Sequence, residues 1–287
     1  MNLTFNDNIN GLFSVSHAGK WRDRNIERSI SNYVILMNFG ESIHLQVDFE
    51  KHEIRKNQLC FINPGSYMAS FEFKDDQHFI IEFNSAFYCL DLHDKEVSCN
   101  GLLFGALPAF PVITATDEEA NDQLVLINTI KKEFDLPDTT QGDMLRLLLK
   151  RLIIICVRIA RSQLFSNSAP LTEDTDMIRK FQALVEKNFR DKHKVADYAE
   201  LMFKSPKTLS NTFKKLSGVN PLQIIQERII LEAKRLLFYT DKTIKEITFE
   251  LGFEEPAHFS RLFKKLTGES PSQFQADLTK GSIANTE

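Results

Sequence analysis

Cysteine is scarce: there are four in 287 residues, at 60, 89, 99 and 156, and no Cys-x-x-Cys pair. That argues against a disulfide scaffold or a paired-thiol redox motif and predicts free thiols in a reducing cytoplasm. His-x-His does not occur, and His44, His52, His78 and His93 are scattered. A metal-dependent oxygenase or isomerase therefore lacks the close-set ligands it needs. No nucleophilic triad, glycine-rich phosphate loop or Walker pattern is present. Long apolar runs are missing too. The most apolar stretch, 152–157, follows Lys150 and Arg151 and precedes Arg158 and Arg161, and it is far short of the roughly 20 residues a membrane span needs. The opening MNLTFNDNIN has neither a basic stretch nor an apolar core, so neither a signal peptide nor a membrane partner is expected.

What is present fits a globular chain of about two domains. Hydrophobic residues make up 43% and charged residues 26%, enough to bury a core. Phe supplies 24 of the 30 aromatics and runs through both halves, as core filling does. The net charge of −4 hides an asymmetry. Residues 176–287 hold 19 Lys/Arg against 15 Asp/Glu, which leaves 16 against 24 for 1–175. Only the C-terminal half suits a polyanion.

Residues 33–39, 43–49, 58–63, 67–73 and 78–83 are short, β-branched or aromatic, and partly alternating, which predicts strands. Asn63-Pro64-Gly65 and Asp75-Asp76 are turn signals between them. Strands at such spacing predict a barrel or sandwich. Helical spacing begins at Thr116 or Asp117, with Leu124, Ile127, Ile130, Lys131 and Phe134 on one face, and stops at Pro137. A second helix is predicted over about 140–166; its wide apolar stripe packs on its own sheet or also on a twin in a dimer, and the sequence leaves both open. The polar stretch 166–174 reads as a linker. Everything after it reads as helices: 175–190, 194–202, 206–216, 221–239, 243–251, 256–266 and 271–278.

The tail repeats itself. SPKTLSNTFKKLSGVNP at 205–221 returns fifty positions on as EPAHFSRLFKKLTGESP at 255–271. Pro206/Pro256, Ser210/Ser260, Phe213/Phe263, Lys214-Lys215/Lys264-Lys265, Leu216/Leu266, Gly218/Gly268 and Pro221/Pro271 coincide. Ser205 sits where a helix cap belongs, with Pro206 as the first helical residue and Gly218 as the stop. Leu209, Phe213 and Leu216 are predicted buried, as are Phe259, Leu262, Phe263 and Leu266. Opposite them lie Lys207, Ser210, Asn211 and Lys214, with Thr208 and Lys215 flanking, then Ala257, Ser260, Arg261 and Lys264, with His258 and Lys265 flanking. Val195, Tyr198, Ala199 and Met202 form the first supporting helix, and Ile244, Ile247, Thr248 and Leu251 the second. A helix fits the major groove of double-stranded DNA, where outer side chains reach base edges and Lys and Arg meet phosphates. Arg261 suits a guanine edge, and Ala257 permits close approach to a thymine methyl. The intervening helix is about 28 Å long at 1.5 Å per residue, a rigid connector for placing two readers about 34 Å apart.

Ile244-Lys245-Glu246-Ile247, Leu251-Gly252-Phe253, His258-Phe259-Ser260-Arg261, Phe263-Lys264-Lys265, Gly268, Ser270-Pro271 and Phe274 resemble the signature of the AraC/XylS family of bacterial transcription regulators. The resemblance covers about 175–280. It implies two helix-turn-helix units joined by a helix, binding promoter DNA and recruiting RNA polymerase, with base-reading helices at 206–216 and 256–266. Two positions depart from the family pattern. Asn211 stands where Arg is common and suits adenine better than guanine; Thr248 replaces a usual Ala. The resemblance also implies an N-terminal cupin-like β-barrel that binds a small-molecule effector, followed by helices that make a homodimer.

The predicted chain is thus α+β: a cupin-like β-barrel with helices, then an all-α domain of two helix-turn-helix units. Residues 1–166 form the effector-sensing and dimerisation domain, with the barrel over about 1–115 and helices over about 117–166. A linker spans 167–175, the AraC-type DNA-binding domain 176–280, and a tail 281–287. No cofactor or metal is expected. Cys89, His93 and Cys99 are three soft ligands at a spacing that fits no common zinc site, so a metal or redox sensor there stays an alternative. A tail that contacts protein instead of DNA is the rival of another class, and salt dependence of DNA binding separates the two.

Overall fold

The computed structural model describes residues 2–7, 10–19, 28–71, 77–90, 102–104, 110–164, 173–216 and 220–276. The chain divides into two compact units, Met1–Pro170 and Leu171–Glu287.

The first unit is antiparallel β followed by helices. Its strands are β1 (Asn2–Asn6), β2 (Leu12–His17), β3 (Arg28–Ser29), β4 (Tyr33–Asn38), β5 (Ile43–Val47), β6 (Glu50–Ile54), β7 (Gln58–Ile62), β8 (Tyr67–Phe71), β9 (His78–Phe83) and β10 (Val112–Thr114). They form a sheet in the order β1-β2-β9-β4-β7-β10 and a smaller one in the order β3-β8-β5-β6. Strand β4 shows how the sequence builds two cores, because alternate residues of a strand face opposite ways. Val34 and Leu36 join Ile43, Leu45, Ile54 and Met68 of the smaller sheet in one cluster. Ile35 and Met37 join Phe13, Phe61 and Phe83 on the other face. A sheet covered on both faces gives continuous apolar strands instead of alternating ones. The predicted turn at Asn63-Pro64-Gly65 forms: Ser66 N donates to Asn63 O at 3.3 Å and Gly65 has φ 84°, the left-handed value a type II turn requires. Asp75 and Asp76 lie outside the described residues.

Helices α1 (Asp117–Glu133) and α2 (Gln141–Leu164) cover the outer face of the larger sheet through Leu126, Ile127, Ile130, Leu145, Leu149, Leu152 and Cys156. Thr116 caps α1 reciprocally: its hydroxyl accepts from Glu119 N at 3.2 Å, and its own N–H donates to the Glu119 carboxylate at 2.8 Å. Cys60 and Cys156 are buried free thiols whose pKa burial raises, so they act as packing residues. Cys89 is half-buried and free, while His93 and Cys99 lie outside the described residues. Among the described residues no three His, Cys, Asp or Glu side chains group to hold a metal, and no helix is long and apolar enough to cross a membrane.

Among the described residues the second unit's elements are all helices: α3 (Glu173–Asn188), α4 (Val195–Leu201), α5 (Pro206–Leu216), α6 (Pro221–Tyr239), α7 (Ile244–Glu250) and α8 (Pro256–Thr267), then helical residues 271–276. Helix α3 begins at Glu173, inside the segment 167–175 expected as linker. Its first turn is rich in acidic side chains, which the positive end of the helix dipole favours, and Asp176 pairs with Arg179 and Lys180, each at 2.7 Å. Helix α6 packs against α3, α4, α5, α7 and α8 and is the spine of the unit.

Candidate nucleic-acid interface

Helix α5 starts as its sequence dictates. Ser205 Oγ accepts from Thr208 N at 3.0 Å, satisfying an otherwise unpaired amide at the helix start, and Pro206 is the first helical residue. Leu209 and Phe213 are fully buried and Thr212 nearly so. Phe213 meets Phe181 of α3 edge-on at 5.0 Å; Phe181 in turn lies 5.3 Å from Tyr198, whose hydroxyl donates to Lys192 O at 2.9 Å. Lys207, Thr208, Ser210, Asn211, Lys214 and Lys215 are all exposed on the other side. Lys215 is not idle: its Nζ lies 3.0 Å from the Asp174 carboxylate. Gly218 and the side chain of Leu216 fall outside the described residues.

Helix α8 repeats the plan with a weaker cap. Glu255 holds the cap position without a side-chain bond, and Pro256 again leads. Phe259 and Phe263 are fully buried in an aromatic row, with Phe253 at 5.6 Å from the first and Phe274 at 5.6 Å from the second. Ala257, His258, Arg261, Lys264 and Lys265 are exposed, and Arg261 Nε reaches back to Ala257 O at 3.3 Å. Three placements differ from expectation. Ser260 is half-buried where it was expected to face outward, and Leu262 is half-buried. Leu266 is 38% exposed where it was expected inside. The buried stripe continues instead from Phe263 to half-buried Thr267, four residues on, and Phe274 covers Phe263 from the following turn. Gly268 closes the helix in the left-handed conformation, φ 89°, its N–H bonded to Lys264 O at 2.9 Å.

The supporting helices repeat as well, though not in the same register. Val195 to Ile244 is 49 positions, while Pro206 to Pro256 is 50. The second turn is one residue longer, and Gly252 within it has φ 74°. A Cβ there would stand 1.8 Å from the carbonyl oxygen of Arg190, so only glycine fits. Thr248, the departure from the usual Ala, is fully buried, and its hydroxyl donates to Ile244 O at 2.7 Å, so the extra polar group is satisfied within its own helix.

A buried ionic network sets the frame, and sequence reasoning missed it. Arg228 of α6 donates Nε and Nη2 to Glu186 of α3 at 2.8 and 2.9 Å and Nη1 to Glu232 at 3.0 Å. Its guanidinium carbon lies 3.9 Å from the Phe189 ring centroid. Arg235 reaches Glu232 at 3.4 Å, and Arg190 also pairs with Glu232. Burial works against the charge on Arg228, but the Glu186 and Glu232 carboxylates outweigh it and raise its pKa. Burial likewise opposes ionised Glu232, and Arg228, Arg235 and Arg190 outweigh it, holding its pKa below the ordinary value. The only sequence signal was the 3–4 spacing of 228, 232 and 235, which also suits a solvated face.

Two helices of one repeat, each led by proline, anchored by buried Phe and bearing exposed cationic side chains, define a double helix-turn-helix domain. Residues 198–277 match the family described as a helix-turn-helix domain. The bifunctional transcriptional activator/DNA repair enzyme AdaA of Bacillus subtilis (strain 168) is 33% identical over 78 residues, 27% of this chain and 36% of that protein. The chain thus spans about a third of the length of the curated relative it matches. The C-terminal domain of the two-component response regulator yesN from Fusobacterium nucleatum is 28% identical, covering 33% of this chain and 94% of that one with a TM-score of 0.32. Unsaturated fatty acid-bound ToxT from Vibrio cholerae is 17% identical over 96% of this chain and 92% of that one, at a TM-score of 0.40. Residues 198–277 of the C-terminal unit thus carry a helix-turn-helix domain, similar in part to the AdaA activator.

Proposed function

We propose that the protein regulates transcription by reading double-stranded promoter DNA with α5 and α8 in adjacent major grooves. The observation that carries this is the pairing of two independently anchored helices whose outer faces are exposed and cationic at matched positions. In this role Lys207, Lys214, Lys215, Lys264 and Lys265 meet phosphates, with Thr208, His258 and Ser260 at the flanks. Ser210, Asn211, Ala257 and Arg261 face base edges, Asn211 suiting adenine and Arg261 guanine. Helix α6, held by Arg228, fixes one reader against the other. Lys215 exchanges Asp174 for phosphate on binding.

Residues 1–166 serve as the sensing and dimerisation domain. The two facing sheets support a cupin-like barrel that takes a small-molecule effector, and α1 and α2 offer helical surface for a homodimer. Effector binding shifts a pre-existing equilibrium in how the C-terminal units are presented. RNA polymerase is the partner through which binding alters transcription, and the cytoplasm is the place of action. The AdaA likeness covers 36% of that protein, so its repair activity is not carried over, and no catalytic step belongs to this proposal. Mapping the protein's bound sites across its genome tests it. Enriched sites sharing one motif upstream of genes whose transcripts change on deletion support it; scattered binding without a motif contradicts it.

A further inference from the structure

The two helix-turn-helix turns solve the same backbone problem with opposite residues. Each supporting helix ends two residues before a left-handed position. In the second unit that position is Gly252, φ 74°. In the first it is Phe203, φ 53°, one of four described non-glycine residues with positive φ. The other three are Asn10, Asp48 and Asn57, whose short polar side chains tolerate this region. Phe203 is also 95% exposed, more than any other large hydrophobic described. A bulky ring in a disfavoured backbone conformation, with its apolar surface in water, does nothing for the folded unit. Strain that persists without a structural return points to an external partner.

Its surroundings indicate which partner. Phe203 lies three residues before Pro206, at the end of α5 where backbone amides carry partial positive charge. Lys204 and Lys207 follow it in sequence, both exposed, as are the capping Ser205 and Thr208; Glu200 is the one acid among these exposed neighbours. An exposed aromatic ring followed by exposed lysines at a helix N-terminus matches a nucleic-acid surface, where lysines take phosphates and the ring covers sugar carbons or a thymine methyl. We infer that Phe203 is a DNA-contacting residue, an apolar foot that packs against the duplex at the edge of the groove entered by the N-terminal end of α5. This rests on α5 facing DNA. It adds a contact that carries no charge, so its energetic signature differs from that of the lysines.

The test uses the full chain and a duplex enriched by that chain from a random-sequence pool. Phe203→Gly removes the ring and the backbone strain together, and Phe203→Leu keeps apolar bulk. Phe203→Gly is expected to bind about tenfold more weakly, as loss of a buried aromatic contact predicts. Its Tm should be equal or higher, and the slope of affinity against salt unchanged. Phe203→Leu should recover part of the loss. Lys207→Ala, run alongside, should weaken binding and lower the salt slope by about one. Unchanged affinity in Phe203→Gly overturns the inference and leaves the ring for a protein partner. A fall in Tm also overturns it, by assigning the ring to the fold. If Lys207→Ala is silent as well, it is the DNA-facing role of α5 that has failed.

Discussion

Arg228 grips Glu186 with both ends of its guanidinium fork, at 2.8 and 2.9 Å, across 42 positions of sequence. The pair joins the helix between the two readers to the helix that braces the first. Since Arg228 is 4% exposed and also bonded to Glu232, removing a partner strands a charge inside the unit. Arg228→Met should destabilise the C-terminal unit by about 3–5 kcal/mol, as expected for a broken buried pair. Chemical denaturation followed by circular dichroism measures it. A loss below about 1 kcal/mol would place the network among surface pairs of little weight.

The same network predicts a response to acid. Glu232 has a folded pKa below its ordinary value of 4.5, because Arg228, Arg235 and Arg190 outweigh the effect of burial. A depressed carboxylate contributes stability that is complete above the unfolded pKa and is lost as pH falls through the folded one. Thermal unfolding should therefore show Tm falling below about pH 4.5, and Glu232→Gln should lower Tm at neutral pH while flattening that acid slope. A variant whose acid slope matched the parent would remove Glu232 from the explanation.

Gly252→Ala should be costly out of proportion to one methyl group. The left-handed backbone alone disfavours Ala by about 1–2 kcal/mol, and the Cβ meets Arg190 O at 1.8 Å. A loss above about 2 kcal/mol in denaturant titration is expected. Gly268→Ala makes the informative contrast, because Gly268 shares the left-handed φ, 89°, but a Cβ there meets nothing within 4 Å. It should lose only the backbone component. Equal losses at both sites would mean the close approach to Arg190 is unimportant.

The readers themselves were legible in the sequence because their determinants are local. Ser205, Pro206 and the Leu209–Phe213 spacing sit within one helix, and the repeat revealed the second copy. What was hidden was what depends on distance. Arg228, Glu232 and Arg235 look like an ordinary polar face until Glu186 and Arg190 arrive from elsewhere in the chain. Strand β6, EKHEI, escaped notice because only Ile54 of its residues is buried. Leu266 was misplaced because its spacing suits the stripe, while Phe274, seven residues after Thr267, supplies the cover for Phe263. Phe203 carries no local signal that marks it; only its φ and its exposure set it apart.

Arg261 and Lys265 should separate base reading from phosphate gripping. Arg261→Ala should lose about 1–3 kcal/mol on a selected duplex and relax preference at one base pair. Lys265→Ala should weaken all duplexes alike and reduce the salt slope by about one. Binding to selected and scrambled duplexes measures both. Equal loss on both duplexes for Arg261→Ala would make it another phosphate contact.

The most direct test of the DNA-reading claim is the affinity of the full chain for a selected duplex and its scrambled counterpart, titrated across salt. The selected duplex should bind at least about a thousandfold more tightly, and both affinities should fall steeply as salt rises, as counterion release by several Lys and Arg requires. Equal affinity for the two duplexes, or binding indifferent to salt, would contradict the assignment of α5 and α8 as DNA readers.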